Sequence, residues 1–302
     1  MDLKSKIILV YGPTASGKSE FAVRLAKKIK GEIINADSLQ IYKDLKILTN
    51  RPSKKNFQLV KHHLYGFQKS NTDFSTGNWL KVARNKIYNI KKRKKIPILI
   101  GGTGLYFKAL TEGLVEIPFI PLKLRNKVRI YQKSIGQKKF YQKLLKTDPL
   151  VKGRIESQDT QRSIRAFEVK KFTKKSIFDW FKNTKPIFKK KEFYKLYIDY
   201  PRTELVKKIM HRTTKMMDQG AILEVKKFLK LKIPKNKTIS KAIGIYEIEQ
   251  YIKKKMNKDE VIEKISIKTR QYAKRQATWA RGNMKSWKKI KHKQLNTFLK
   301  KI

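Results

Sequence analysis

Apolar positions along the chain follow two rhythms, and the first third alternates between them. Ile7–Tyr11 is an unbroken apolar run closed by Gly12-Pro13, the pattern of a short buried strand. Ser19–Ile29 then spaces its apolar residues as a helix does. Glu32–Ala36 reads as a second strand. Ile96–Ile100 reads as a third, stopped by Gly101-Gly102 before a helical stretch over Leu105–Leu110. Strands alternating with helices predict a parallel sheet with right-handed crossovers, and such sheets bind ligands beyond the carboxyl ends of their strands. The polar segments Gly12–Ser19, Asp37–Gln40 and Gly101–Gly104 all fall at those ends.

Near Pro118 and Pro121 the pattern changes to helical stretches rich in Lys, Tyr and Phe, which run to about Pro186. Lys195–Asp199 returns to the strand pattern, and two helices are expected near Glu204–Leu229 and Asp259–Arg281. This predicts an α/β core over 1–117 and 191–302, interrupted by a helical insertion over 118–190. Neither an internal repeat nor a long low-complexity linker is evident.

Gly12-Pro13-Thr14-Ala15-Ser16-Gly17-Lys18-Ser19 fits the G-x-x-x-x-G-K-[ST] phosphate loop, with a strand before it and a helix after. Such a loop turns backbone N–H groups onto phosphate oxygens. Lys18 adds a positive charge, and the Ser19 hydroxyl can ligate Mg²⁺. The predicted fold class is thus a P-loop NTPase-like parallel sheet, and the loop alone admits a nucleotide such as ATP. Nucleotide-hydrolysing enzymes normally hold Mg²⁺ with an acid at the end of another strand. Here Ile96–Ile100 ends in Gly-Gly-Thr-Gly, with no carboxylate. The available acid is Asp37, in Asn35-Ala36-Asp37-Ser38-Leu39-Gln40. It can serve as a catalytic base, as in small-molecule kinases, or cap a following helix through its side-chain oxygen.

Charge adds a partner. Lys+Arg 75 against Asp+Glu 23 gives a formal net charge of +52, which favours a polyanion through counterion release. Lys outnumbers Arg roughly four to one, whereas phosphate clamps favour the arginine fork, so part of the excess reads as compositional drift. With Cys 0, disulfides, thiolate zinc sites and cysteine nucleophiles are excluded. Lys4-Ser5-Lys6 leads straight into the first strand without a signal pattern, and no apolar stretch approaches the ~20 residues that span a bilayer. A cytoplasmic protein without a membrane partner is expected. His62-His63 reads as an unlikely metal pair, because adjacent strand residues point apart. Trp79, Trp180, Trp279 and Trp287 read as packing residues, and the Lys runs at 91–95 and 189–191 as solvated surface. Arg270, Lys274, Arg275 and Arg281 make one basic helix, suited to solvent or to an RNA backbone.

GPTASGKS, NADSLQIY, GGTGLYFKAL, DTQRSIRAFEV and TRQYAKRQATWAR occur in this order over essentially the whole chain. In this the sequence resembles the tRNA dimethylallyltransferase (isopentenyl-tRNA transferase) family. The resemblance implies transfer of a dimethylallyl group from dimethylallyl pyrophosphate to N6 of the adenine 3′ of the anticodon in tRNA, by a Mg²⁺-dependent monomer. It also implies that the phosphate loop holds pyrophosphate, which accounts for the missing strand-end acid. By the same resemblance Thr14–Ser19 would hold the pyrophosphate, and Asp37 would take the N6 proton. Ser38, Leu39 and Gln40 would line the tRNA path, and Thr103 would touch the substrate nucleotide or its phosphate. Gln161, Arg162, Ser163, Ile164 and Arg165 would meet the anticodon loop, and Arg125 is a further tRNA position. Arg212 would sit at the active site, on the pyrophosphate. Lys241, Ala242, Ile243 and Gly244 match another tRNA segment. The chain departs from the family at Ile245-Tyr246, where Tyr more often follows Ala-Ile-Gly directly, and at Arg51, which replaces a lysine before Pro52. Two rivals remain, a P-loop small-molecule or nucleotide kinase and an RNA-binding protein with a vestigial loop.

Overall fold

Six parallel strands form a single sheet in the computed structural model, which describes Leu3 and residues 5–302. In chain order they are β1 (Ile7–Tyr11), β2 (Gly31–Asn35), β3 (His62–His63), β4 (Ile96–Gly101), β5 (Phe193–Asp199) and β6 (Lys288–Lys291). Across the sheet the order is β3-β2-β4-β1-β5-β6. The central strand β1 pairs with β4 through Leu9 opposite Leu99, and with β5 through Leu9 opposite Lys195. All five residues of β1 and of β2 are buried, as expected of parallel strands covered on both faces. Helix Lys18–Lys28 lays Phe21, Ala22 and Leu25 on Ile8, Val10, Ile33 and Ile98. Full burial of each large side chain contributes about 1.5–3 kcal/mol. A second apolar cluster joins Ile41 and Tyr42 to Val225, Ile248 and Ile265.

Two compact units emerge: residues up to Thr111 together with Phe188–Ile302, and Glu112–Ile187. The second unit has its own core, in which Val128, Phe140, Leu144, Val151, Phe167 and Val169 pack together. Gly136, at φ 75, breaks the helical run Leu122–Thr147. The expected insertion, 118–190, therefore shifts to Glu112–Ile187. The prolines mark this boundary less well than burial does. Ile117 packs on the insertion's core, whereas Phe188 lies against Tyr88 and Phe193 in the sheet unit.

Other expectations need correction. The single helix near Glu204–Leu229 is two, Arg202–Asp218 and Ala221–Lys230, because Gly220 adopts φ 97 between them. Sequence reading missed β6, whose Lys-Lys-Ile-Lys buries only Ile290, and the helix Thr76–Lys92. His63 Nε2 and Arg93 both bind the Glu32 carboxylate, at 2.6 and 2.7 Å. His62 Nδ1 instead faces the Val60 carbonyl at 2.7 Å. Among the described residues there is no cluster of three His, Cys, Asp or Glu suited to a metal, and no helix long and apolar enough to cross a membrane. Met1, Asp2 and Lys4, including the start of the basic lead-in, lie outside the described residues.

Candidate active site

The carboxyl ends of β1, β2 and β4 lie side by side and carry the three polar loops anticipated there. After β1, Ala15 (φ 63) and Gly17 (φ 77) adopt left-handed conformations that curl the phosphate loop before helix Lys18–Lys28 begins. The Lys18 ammonium folds back on the Pro13 carbonyl at 3.1 Å. Burial lowers its pKa to about 8, while Asp37 pulls it up and Arg212 pushes it further down. Arg212 donates to Thr14 Oγ1 at 2.8 Å. Burial lowers this guanidinium to about 10, against an upward pull from Asp37.

After β2, the fully buried Asn35 fixes the acid. Its Oδ1 accepts the Asp37 N–H at 2.9 Å, and its Nδ2 donates to the Asp37 and Leu64 carbonyls at 3.0 Å each. Asp37 Oδ1 accepts the Leu39 N–H at 2.9 Å and, weakly, the Gln40 N–H at 3.4 Å. The side chain thus caps a turn and no helix, using one oxygen. One oxygen therefore holds the loop, in place of the helix cap expected, and the residue also lines the cavity described below.

The Gly101-Gly102-Thr103-Gly104 segment packs tightly against its neighbours. A Cβ on Gly101 would strike the Ala36 backbone, and one on Gly104 would strike the Trp279 ring. These glycines permit close packing. The Thr103 hydroxyl accepts the Ser38 N–H at 2.9 Å and donates to Ser38 Oγ at 3.3 Å, so it ties the Asp37 loop down. Gln276, from the helix Lys258–Asn283, was missed by sequence reasoning. Its Oε1 accepts the Thr14 N–H at 2.8 Å and its Nε2 donates to the Gly102 carbonyl at 2.9 Å, joining two of the three loops. Only the run TRQYAKRQATWAR hinted at such a role.

Thr14, Asp37 and Arg212 border a cavity of about 570 Å³. Its lining mixes polar side chains, among them Thr14, Ser19, Asp37, Arg212, Tyr272 and Arg275, with apolar ones, Leu39, Ile47, Leu48, Met216, Ile243 and Ile265. The Glu224 carboxylate holds the Ile47–Leu48 part of this lining by accepting the N–H groups of Lys46, Ile47 and Leu48 at 2.6, 2.7 and 2.8 Å. Lys241 and Ala242 also line the cavity, whereas Gly244 is buried at φ 106 to start the helix Ile245–Ile252. Gln40 spends its amide N–H groups on the Thr49 and Asn50 carbonyls. Trp79 and Trp287 are packing residues. The first stacks on Tyr106 and donates to the Asn35 carbonyl, and the second lies edge-on to Tyr11 and Phe107.

Arg125 and Gln161–Arg165 belong to the other compact unit. Gln161 and Arg162 are exposed there, but Ser163 is fully buried beside Gln137 and offers no RNA-facing hydroxyl.

The IPP transferase family model matches residues 40–283. A tRNA dimethylallyltransferase of Pelagibacter ubique is 60% identical over 302 residues, covering 100% of this chain and 96% of that protein. The chain belongs to the IPP transferase family. Another IPP transferase relative, a tRNA dimethylallyltransferase of Rhizobium etli, is 43% identical over 94% of this chain and 97% of its own length. Among solved structures, a tRNA isopentenylpyrophosphate transferase of Bacillus halodurans superposes with TM-score 0.69 at 28% identity, covering 98% of this chain and 95% of its own. A eukaryotic dimethylallyltransferase described as acting on tRNA superposes with TM-score 0.82 at 27% identity, covering 95% of this chain and 74% of its own. The P-loop sheet expected from the sequence is thus the fold of IPP transferases.

Proposed function

We propose that this chain transfers the dimethylallyl group of dimethylallyl pyrophosphate to N6 of the adenine immediately 3′ of the anticodon in tRNA. The observation that carries the reading is a cavity that brings phosphate-loop residues and apolar side chains into one lining. Thr14 and Ser19 of the phosphate loop, Arg212 and Asp37 line it, and Ile47, Leu48, Met216, Ile243 and Ile265 add apolar surface suited to a five-carbon chain. In the reaction the allylic C1–O bond breaks and the N6–C1 bond forms. The N6 proton passes to the Asp37 carboxylate, and pyrophosphate leaves. Lys18, Arg212 and the loop amides would stabilise the charge that develops on the leaving group, a role supported by the hydrogen bond of Arg212 to Thr14 in the phosphate loop. The target adenine must leave the base stack before N6 can reach C1, at a cost of a few kcal/mol.

Mg²⁺ fits this donor set. Ser16 Oγ is buried in the loop without a hydrogen-bond partner, and the Ser19 hydroxyl lines the cavity together with Asp37. Mg²⁺ characteristically takes few protein ligands and completes its shell with phosphate oxygens and water. Ser19 would hold it, and when bound it would supply positive charge to the pyrophosphate. The rest of the reading is a cytoplasmic enzyme that acts as a monomer.

Incubation with labelled dimethylallyl pyrophosphate and unmodified tRNA tests the proposal. Label is expected at N6 of the adenine beside the anticodon. Phosphate transfer from ATP to a small acceptor, with no label in tRNA, would replace this reading with a kinase.

A further inference from the structure

In the insertion unit a single carboxylate is buried under three arginines. Glu168 lies in the helix Thr160–Thr173 with its side chain 2% exposed, between the core residues Phe167 and Val169. Arg125 Nε and Arg165 Nη1 each stand 3.6 Å from its Oε2, and Arg129 Nε stands 3.8 Å from its Oε1. These separations exceed direct hydrogen bonds, so the carboxylate attracts all three guanidiniums without saturating any. Glu168 Oε1 and Arg125 Nε are buried with no hydrogen-bond partner. The arginine side chains remain 35%, 49% and 43% exposed for Arg125, Arg129 and Arg165.

A carboxylate buried for stability alone would be expected to pair closely with one cation, because an unsaturated buried charge is costly. Here one anion gathers three like charges that would otherwise repel one another and splay. The surplus is two positive charges, and each guanidinium keeps N–H donors for a further acceptor. Arg125 and Arg129 are one helical turn apart, and Arg165 comes from a second helix. A group with several negative oxygens can therefore be held from two sides.

We propose that Glu168 is a positioning residue that never meets RNA, but assembles Arg125, Arg129 and Arg165 into one clamp for a backbone phosphate of the tRNA. The proposal rests on the tRNA-modifying reading above, and it adds Arg129 to the residues expected to touch RNA. Glu168→Gln keeps the shape and removes the anion. In direct electrostatics this favours any RNA, whereas loss of the clamp geometry penalises the RNA that must be seated in one register.

The two effects separate in an experiment on the full chain. The parent protein is first shown to transfer labelled dimethylallyl to tRNA; failure there refutes the functional reading, not the clamp. Affinity for cognate tRNA and for an unrelated RNA of equal length is then measured by filter binding, with steady-state kinetics and thermal melts alongside. Glu168→Gln is expected to raise the KM for tRNA about tenfold, equivalent to about 1.4 kcal/mol. Affinity for unrelated RNA should be unchanged or tighter, and kcat and the donor KM should stay within about twofold. Arg129→Ala should raise the tRNA KM similarly and reduce the slope of log affinity against log salt by about one. The double variant should be no worse than the poorer single one, since both disrupt one unit. Equal weakening toward both RNAs, with a lowered melting temperature, would make Glu168 merely structural. Tighter binding to both would leave only its charge. Either result overturns the proposal. If Glu168→Gln does not fold, Arg129→Ala decides, and an unchanged tRNA KM and salt slope overturns the clamp.

Discussion

In an Asp37→Asn protein the turn after β2 keeps its acceptor, since Oδ1 still receives the Leu39 N–H at 2.9 Å and the weaker Gln40 N–H at 3.4 Å. The Asn35 clamp binds only backbone groups of residue 37 and is untouched. Folding should therefore change by less than about 1 kcal/mol, the scale of one ordinary hydrogen bond. What disappears is a carboxylate able to take the N6 proton. A positioned general base contributes typically about 10²- to 10⁴-fold, or about 2.7–5.4 kcal/mol of barrier. Single-turnover transfer should slow by that factor, with tRNA affinity altered far less than tenfold. A second readout comes from Lys18, whose pKa of about 8 includes an upward pull from Asp37. In the parent, kcat/KM for the donor should fall as pH rises above about 8 and the ammonium loses its proton. In Asp37→Asn that fall should begin at lower pH. Stopped-flow transfer rates and a pH series on both proteins test the pair of effects. Normal single-turnover transfer by Asp37→Asn would refute the assignment of the base.

Lys18→Met should raise the melting temperature of the ligand-free protein at pH 7 while abolishing stabilisation by pyrophosphate. The folded lysine titrates near 8 against 10.5 unfolded, so its burial cost is full below pH 8 and is relieved as pH rises toward 10.5. The advantage of Met should shrink over that window, and a variant that melts lower at pH 7 would contradict this. Gln276→Leu strands the Thr14 N–H and the Gly102 carbonyl, costing ~1–3 kcal/mol each. Pyrophosphate can return an acceptor to Thr14, so melts with it should show a smaller loss than melts without; identical melting to the parent would exclude the role. Glu224→Gln leaves one acceptor oxygen where a carboxylate served three N–H groups. The donor KM should rise several-fold with kcat nearly kept, and an unchanged KM would detach the Ile47–Leu48 wall from donor binding.

The loops and strands of the site were legible because their signals are local. Unbroken apolar runs such as Ile7–Tyr11 and Ile96–Ile100 mark strands buried on both faces, and the phosphate loop is a short pattern with fixed spacing. The residues that hold these loops were not legible, because their partners are far away in the chain. Gln276 meets Thr14 across 262 positions, and Glu224 meets Lys46 across 178. In sequence, both look like ordinary polar positions on a helix. Arg125 and Arg165 were read from the resemblance, but nothing around them announced a shared buried carboxylate. Edge strand β6 escaped because a lysine-rich tetrapeptide with one buried residue carries almost no periodic signal.

The sheet order also governs how the protein is made. Strand β1 lies between β4 and β5, and β5 begins at Phe193, after the whole insertion. At synthesis rates of about 5–20 residues per second, roughly 180 residues separate the two partners, so one edge of β1 waits about 9–36 s for its neighbour. Ile7 and Leu9 must remain unpaired on that side while Glu112–Ile187, which has its own core, is completed. Gln276 reaches Thr14 later still. The phosphate-loop site, written first in the sequence, is finished only near the end of synthesis, and a nascent chain stopped before the helix Lys258–Asn283 carries the motif without the site.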